Sequence, residues 1–103
     1  MVRGTRFNNS NSFSVPQFVL KERKNGLPLN RFGIVVSKKV DKRAVVRNRI
    51  KRLFRSTLEN LNKNMESGHD ILFIVKTAIL DKMQKENQEL IKQTIEKLGI
   101  IKK

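Results

Sequence analysis

Residues Arg31–Arg55 read RFGIVVSKKVDKRAVVRNRIKRLFR, and the hydrophobic period changes in the middle of them. The first seven, Arg31–Ser37, are β-branched and aromatic, the composition of a largely buried strand. Gly33 inside that run marks a bulge or a close backbone approach. From Ala44 the period becomes helical: Val46, Ile50, Leu53, Phe54, Leu58 and Leu61 recur at that spacing. At roughly 100° per residue these six fall within an arc of about 140°. Asn48, Arg52 and Arg55 project from the opposite side, with Lys51 and Arg49 flanking them. Arg47 falls near the apolar border, where only a place in the first turn frees its head group. Asp41 is placed to cap the start of this helix and to complement its dipole.

Outward from this nucleus the chain supplies the rest of a small fold. Before it, Phe18–Arg23 reads as a short strand, with Pro16 at a tolerated edge or start position. Lys24–Asn30 (KNGLPLN) is a turn between two strand-like runs. After the helix, the polar stretch Asn62–Gly68 ends it, and Asp70–Lys76 (DILFIVK) predicts a central strand buried on both faces. Asp81, with Gln84 three residues on, predicts the capping box of a last helix. Its inner face is Met83, Leu90, Ile91, Thr94, Ile95 and Leu98, and Gly99 stops it. Asn8–Ser14 is polar, so residues 1–15 read as an irregular arm, with room for an extra strand in 1–16. The order strand, strand, helix, strand, helix predicts an α+β class, a small two-layer α/β sandwich in one domain over residues 1–103.

The charge points to a partner. The 103 residues carry 23 Lys and Arg against 9 Asp and Glu, a formal charge of +14. Residues 31–55 hold ten of the bases with Asp41 alone opposing them, while 56–103 are nearly balanced, with eight lysines and seven acids. A concentration of like charge that repels itself calls for a polyanion. Arginine offers a planar fork for phosphate oxygens, and asparagine can contact a base edge or a 2′-hydroxyl. The candidate RNA-binding residues are Lys38, Lys39, Lys42, Arg43, Arg47, Asn48, Arg49, Lys51, Arg52 and Arg55. Against this stands the plainer reading of a solvated cationic face without a ligand. Phe18 and Phe32 lie on strands, where either could stack on a base, although core packing is the commoner role.

Other function classes find little support. Without cysteine there is no disulfide framework, and a cytosolic setting is compatible. No apolar run approaches the roughly 20 residues of a membrane helix, and no signal peptide is expected. There is no P-loop, no G-x-G-x-x-G and no G-x-S-x-G. His69 is the single histidine, and no closely spaced acidic cluster suggests a two-metal nuclease. No catalytic residue and no metal ligand is assigned.

The same stretch resembles a known family. The bacterial ribonuclease P protein subunits carry a strand ending in S-K-K, a short link, then A-V-x-R-N-R-I-K-R-x-x-R on a helix. Here these are Ser37, Lys38 and Lys39, then Ala44, Val45, Arg47, Asn48, Arg49, Ile50, Lys51, Arg52 and Arg55. Gln17–Leu20, Asp70–Lys76 and residues 81–98 resemble the family's first strand, later strand and last helix, so the likeness spans most of 16–98. It implies a mostly antiparallel sheet with a left-handed β-α-β crossover, against the usual hand. It implies a non-catalytic protein subunit that helps a catalytic RNA remove the 5′ leader of precursor tRNA, with the chemistry carried by that RNA and its Mg²⁺. The implied partners are the catalytic RNA and the leader, in the cytoplasm, with no membrane and a monomeric free protein. Family members open with a helix whose aromatic residues wall the leader cleft. The expectation here is that this helix is missing, with Phe7 and Phe13 as partial replacements. By position, Phe18, Val19 and Lys21 are expected at the leader. The alternatives are a ribosomal or other structural RNA-binding protein, and an independent nuclease using His69, Asp70 or Asp81.

Overall fold

Two strands run parallel at one edge of the sheet. They are β3 (Arg31–Val35) and β4 (His69–Val75), in register from Arg31 opposite Asp70 to Val35 opposite Ile74. Parallel neighbours cannot be joined by a hairpin. The helix α1 (Ala44–Asn62) forms the crossover, so the period change read at Ala44 is the event that orders the sheet. The computed structural model describes residues 11–101. Residues 1–10, where the missing helix and the contribution of Phe7 were expected, lie outside the described residues.

Two further strands complete the sheet, β1 (Asn11–Val15) and β2 (Phe18–Lys24), in the order β1-β2-β4-β3. The β1–β2 and β2–β4 pairs are antiparallel, giving the mostly antiparallel α+β sandwich that was expected. A 3-10 turn (Thr77–Asp81) then leads into α2 (Gln84–Lys97). No helix among the described residues is long and apolar enough to cross a membrane.

Alternation along the strands fixes which side is core. Phe18 and Leu20 of β2 and Ile71, Phe73 and Val75 of β4 point to one side, where they are buried with Phe54 and Leu58 of α1 and Ile91 and Ile95 of α2. Phe18, Phe54 and Phe73 meet edge-on with ring centroids 5.1–5.7 Å apart. That arrangement places positive ring edges against negative faces. At the far end of α1, Met65 forms a bridge with Ile101, which brings the end of the described chain beside the end of the helix.

Several expectations need correction. Asn11–Val15 is a strand rather than part of an irregular arm, because Phe13 and Val15 alternate onto the core side opposite Leu20 and Phe18. The run in β4 is central but its apolar residues are fully buried on one face only: Leu72 and Ile74, on the other, are half-buried. Gly33 pairs with Leu72 in unbroken register, without a bulge. Asp81 does not cap α2, because the 3-10 turn anchored by buried Ile79 takes it up. The helix starts at Gln84, and Glu86 accepts the Met83 N–H at 3.4 Å. Met83 is 74 % exposed and lies off the inner face, whereas Asn87, buried and donating to the Ile79 carbonyl at 3.0 Å, belongs to it.

Candidate nucleic-acid interface

The link between β3 and α1 displays its lysines because its valines are pinned. Val36 and Val40 are buried, and the Val40 N–H donates to the Ser37 carbonyl at 3.0 Å. The turn that results leaves Ser37, Lys38 and Lys39 exposed. Asp41 does not cap α1 directly. Its carboxylate accepts the Arg43 backbone N–H at 2.8 Å and the Arg43 guanidinium at 2.9 and 3.1 Å. Those bonds, the side-chain pair first, hold the Asp41 carboxyl down at about 2. Arg43 occupies the N-cap position and its side chain makes no cap hydrogen bond, so α1 begins without a side-chain cap and among cations. A helix start of that kind attracts anions.

Along α1 the expected cationic row is on the surface. Asn48, Arg49, Arg52 and Arg55 are exposed, and Lys51 is half-buried at the flank. The first turn of α1 contains no acid. Arg47 behaves differently. Its guanidinium donates to the backbone carbonyls of Asp41 and Lys42 at 3.0 and 2.8 Å, so it ties the loop to the helix. The geometry makes it a positioning residue for Lys42 and Arg43. Sequence reading placed it near the apolar border and gave no sign of these two acceptors.

The sheet face turned away from the helices is a second surface. Val19 and Lys21 lie on it, half-buried, beside Leu72 and Ile74 of β4. Phe18 does not: its side chain is wholly buried on the core side, which removes it from the leader residues expected by position. Phe13 also faces the core, so it cannot wall this surface.

One end of this face carries a cluster that sequence reading missed. Arg23, Asp70 and Arg31 stand abreast on β2, β4 and β3. Arg31 donates to both Asp70 oxygens at 2.7 and 2.8 Å, Arg23 reaches Oδ2 at 3.3 Å, and Asn25 donates to Oδ1 at 3.0 Å. The hydrogen bonds from Arg31, then those from Asn25 and Arg23, outweigh desolvation and hold the Asp70 carboxyl at about 2.

The alternative nuclease residues do not converge. Asp70 is committed to Arg31, Arg23 and Asn25, and Asp81 is exposed at the end of the 3-10 turn that follows the other end of β4. His69 is buried on the opposite face from Asp70, its Nδ1 2.9 Å from Glu22. Among the described residues no three His, Cys, Asp or Glu side chains gather in a way that could hold a metal ion.

Comparisons with known proteins identify relatives of this chain. A profile of the family described as Ribonuclease P matches residues 5–99. A ribonuclease P protein component of Clostridium botulinum strain 657 is 38 % identical over 95 residues, covering 91 % of this chain and 85 % of that protein. The solved structure of the Staphylococcus aureus RNase P protein superposes with a TM-score of 0.83 at 26 % identity, over 92 % of this chain and 86 % of that one. The RNase P protein of Thermotoga maritima gives 0.69 at 29 % identity, over 81 % and 78 %.

Proposed function

Because the chain belongs to the ribonuclease P protein family, we propose that α1 and the loop before it bind the catalytic RNA of ribonuclease P and that the open sheet face holds the precursor-tRNA leader. The carrying observation is the row Asn48, Arg49, Arg52 and Arg55, exposed on one helix and continued by Lys38, Lys39, Lys42 and Arg43. Guanidinium forks and ammonium groups at a helix start match phosphate oxygens, and an amide among them can read a base edge or a 2′-hydroxyl. Cleavage chemistry belongs to the RNA and its Mg²⁺. The side chains described here do not fit a metal site, so no chemical step is assigned to them. The free protein is a monomer and acts in the cytoplasm.

Reconstitution tests this reading. The protein alone should leave precursor tRNA intact, and adding it to the catalytic RNA should restore 5′-leader removal at low Mg²⁺. Cleavage by the protein without RNA would falsify the assignment. For the leader, Lys21→Ala should weaken the complex with leader-bearing precursor by about two- to fivefold and leave mature tRNA binding unchanged. A salt bridge to phosphate lost at a wet surface is worth about 0.5–1 kcal/mol. Equal losses for the two tRNAs would remove the leader from this face.

A further inference from the structure

A small cleft lies where α1 passes the outer edge of the sheet. Phe32, Ile34, Arg55, Leu58 and Glu59 line it, and it holds about 140 Å³. Phe32 and Ile34 alternate toward the helix side of β3 and are half-buried there. Leu58 closes the floor and is buried. β3 is the last strand of the sheet, with β4 as its one neighbour, so the cleft opens at a free edge. A cavity of about 150 Å³ admits a benzene ring, so one flat aromatic system fits with its rim outside.

Two charged groups stand at the mouth. Arg55 is the last cation of the helix row. Glu59 is the single acid of α1 and sits one turn further along. Both are exposed, and among the described residues their side chains make no ion pair or hydrogen bond. A carboxylate beside an RNA-reading row repels phosphates, so its favourable partner on a nucleic acid is a base that donates. An ionised carboxylate only accepts, through two oxygens. Guanine is the base whose Watson–Crick edge offers two adjacent donors, N1–H and N2–H. Adenine and cytosine place a ring acceptor beside their amino group, and uracil flanks its N3–H with two carbonyls.

We propose that this cleft takes one unstacked guanine nucleotide of the RNA partner. Phe32 and Leu58 lie against the base, Glu59 accepts from N1–H and N2–H, and Arg55 holds a phosphate. The inference deepens the reading of α1 as the RNA face and rests on it. Single-stranded bases splayed onto aromatic side chains and read on their Watson–Crick edges are the usual targets of sequence-specific RNA recognition.

The test uses the full chain labelled with ¹⁵N and titrated separately with GMP, AMP, CMP and UMP, following amide shifts. GMP should give saturable shifts at Phe32, Ile34 and Glu59 and bind about tenfold more tightly than the other three. Glu59→Gln, a surface change on a long helix, should bring GMP down to their level, and Phe32→Leu should weaken all four. Absence of saturable GMP shifts, equal affinity for the four nucleotides, or an unchanged GMP preference in Glu59→Gln each overturns the proposal. Binding of Arg52→Ala/Arg55→Ala protein to the catalytic RNA separates the two levels. Loss there without GMP binding in the wild type discards the pocket and keeps the helix, whereas no loss discards both.

Discussion

Asp70 shows how much one side chain can join. It is almost wholly buried, yet it accepts from residues on both neighbouring strands and from the turn between them. Free aspartate titrates near 3.9, and in the folded chain Asp70 titrates at about 2. The folded state therefore binds fewer protons between those values. The stabilisation, about 2 kcal/mol, is complete above about pH 4 and is lost as pH falls through 2. Asp70→Asn should cost about 2 kcal/mol at neutral pH in urea denaturation and flatten the dependence of stability on pH between about 4 and 2. A variant that keeps the wild-type acid limb would show that other carboxylates carry it. Nothing local announces this cluster: Arg31 and Arg23 lie 39 and 47 residues away in sequence. Phe18 was ambiguous for a related reason. Its residue type suits both a core and a stacking platform, and only the register with Val75 decides.

At the scale of the element, α1 was the most legible part of the chain. Nineteen residues of uninterrupted period outweigh the noise of any single position, and the apolar arc and the cationic row fall where 3.6 residues per turn puts them. Its start was less legible. Asp41 is a good capping residue by type, but its carboxylate is taken by Arg43 two residues on, an arrangement that asparagine and aspartate favour in turns. β1 was open to two readings, an irregular arm over 1–15 or an extra strand within 1–16, because Asn11, Ser12 and Ser14 make its composition polar. The alternation of Phe13 and Val15 was present, in a segment too short to outweigh it. The element-level prediction concerns the row itself. With roughly five phosphates neutralised, log affinity for the RNA against log salt should have a slope of about −3 to −5. Arg52→Ala with Arg55→Ala should weaken RNA binding by about one to two orders of magnitude and make the slope less steep by between about 1 and 2. Lys92→Ala with Lys97→Ala, on α2, should do neither. Equal effects from the two pairs would move the interface off α1.

Taken whole, the molecule hangs the cationic surface of α1 on its core. Phe54 leaves α1 on its buried side, away from exposed Arg52, and completes the three-ring contact with Phe18 and Phe73. Phe54→Ala should cost about 3–5 kcal/mol, a large part of the 5–15 typical of such a domain. It should lower the urea midpoint and weaken binding of the catalytic RNA and of the leader together. A loss confined to one ligand would contradict a shared anchor. The bridge between Met65 and Ile101 has a practical corollary. The helix is 19 residues long, or roughly 28 Å at 1.5 Å per residue. The described chain thus ends at the opposite pole of α1 from the lysine-rich loop. A fluorophore or an immobilising linker attached at that pole of α1 stands clear of the loop, which makes the pole a natural handle for single-molecule and surface-based measurements of assembly.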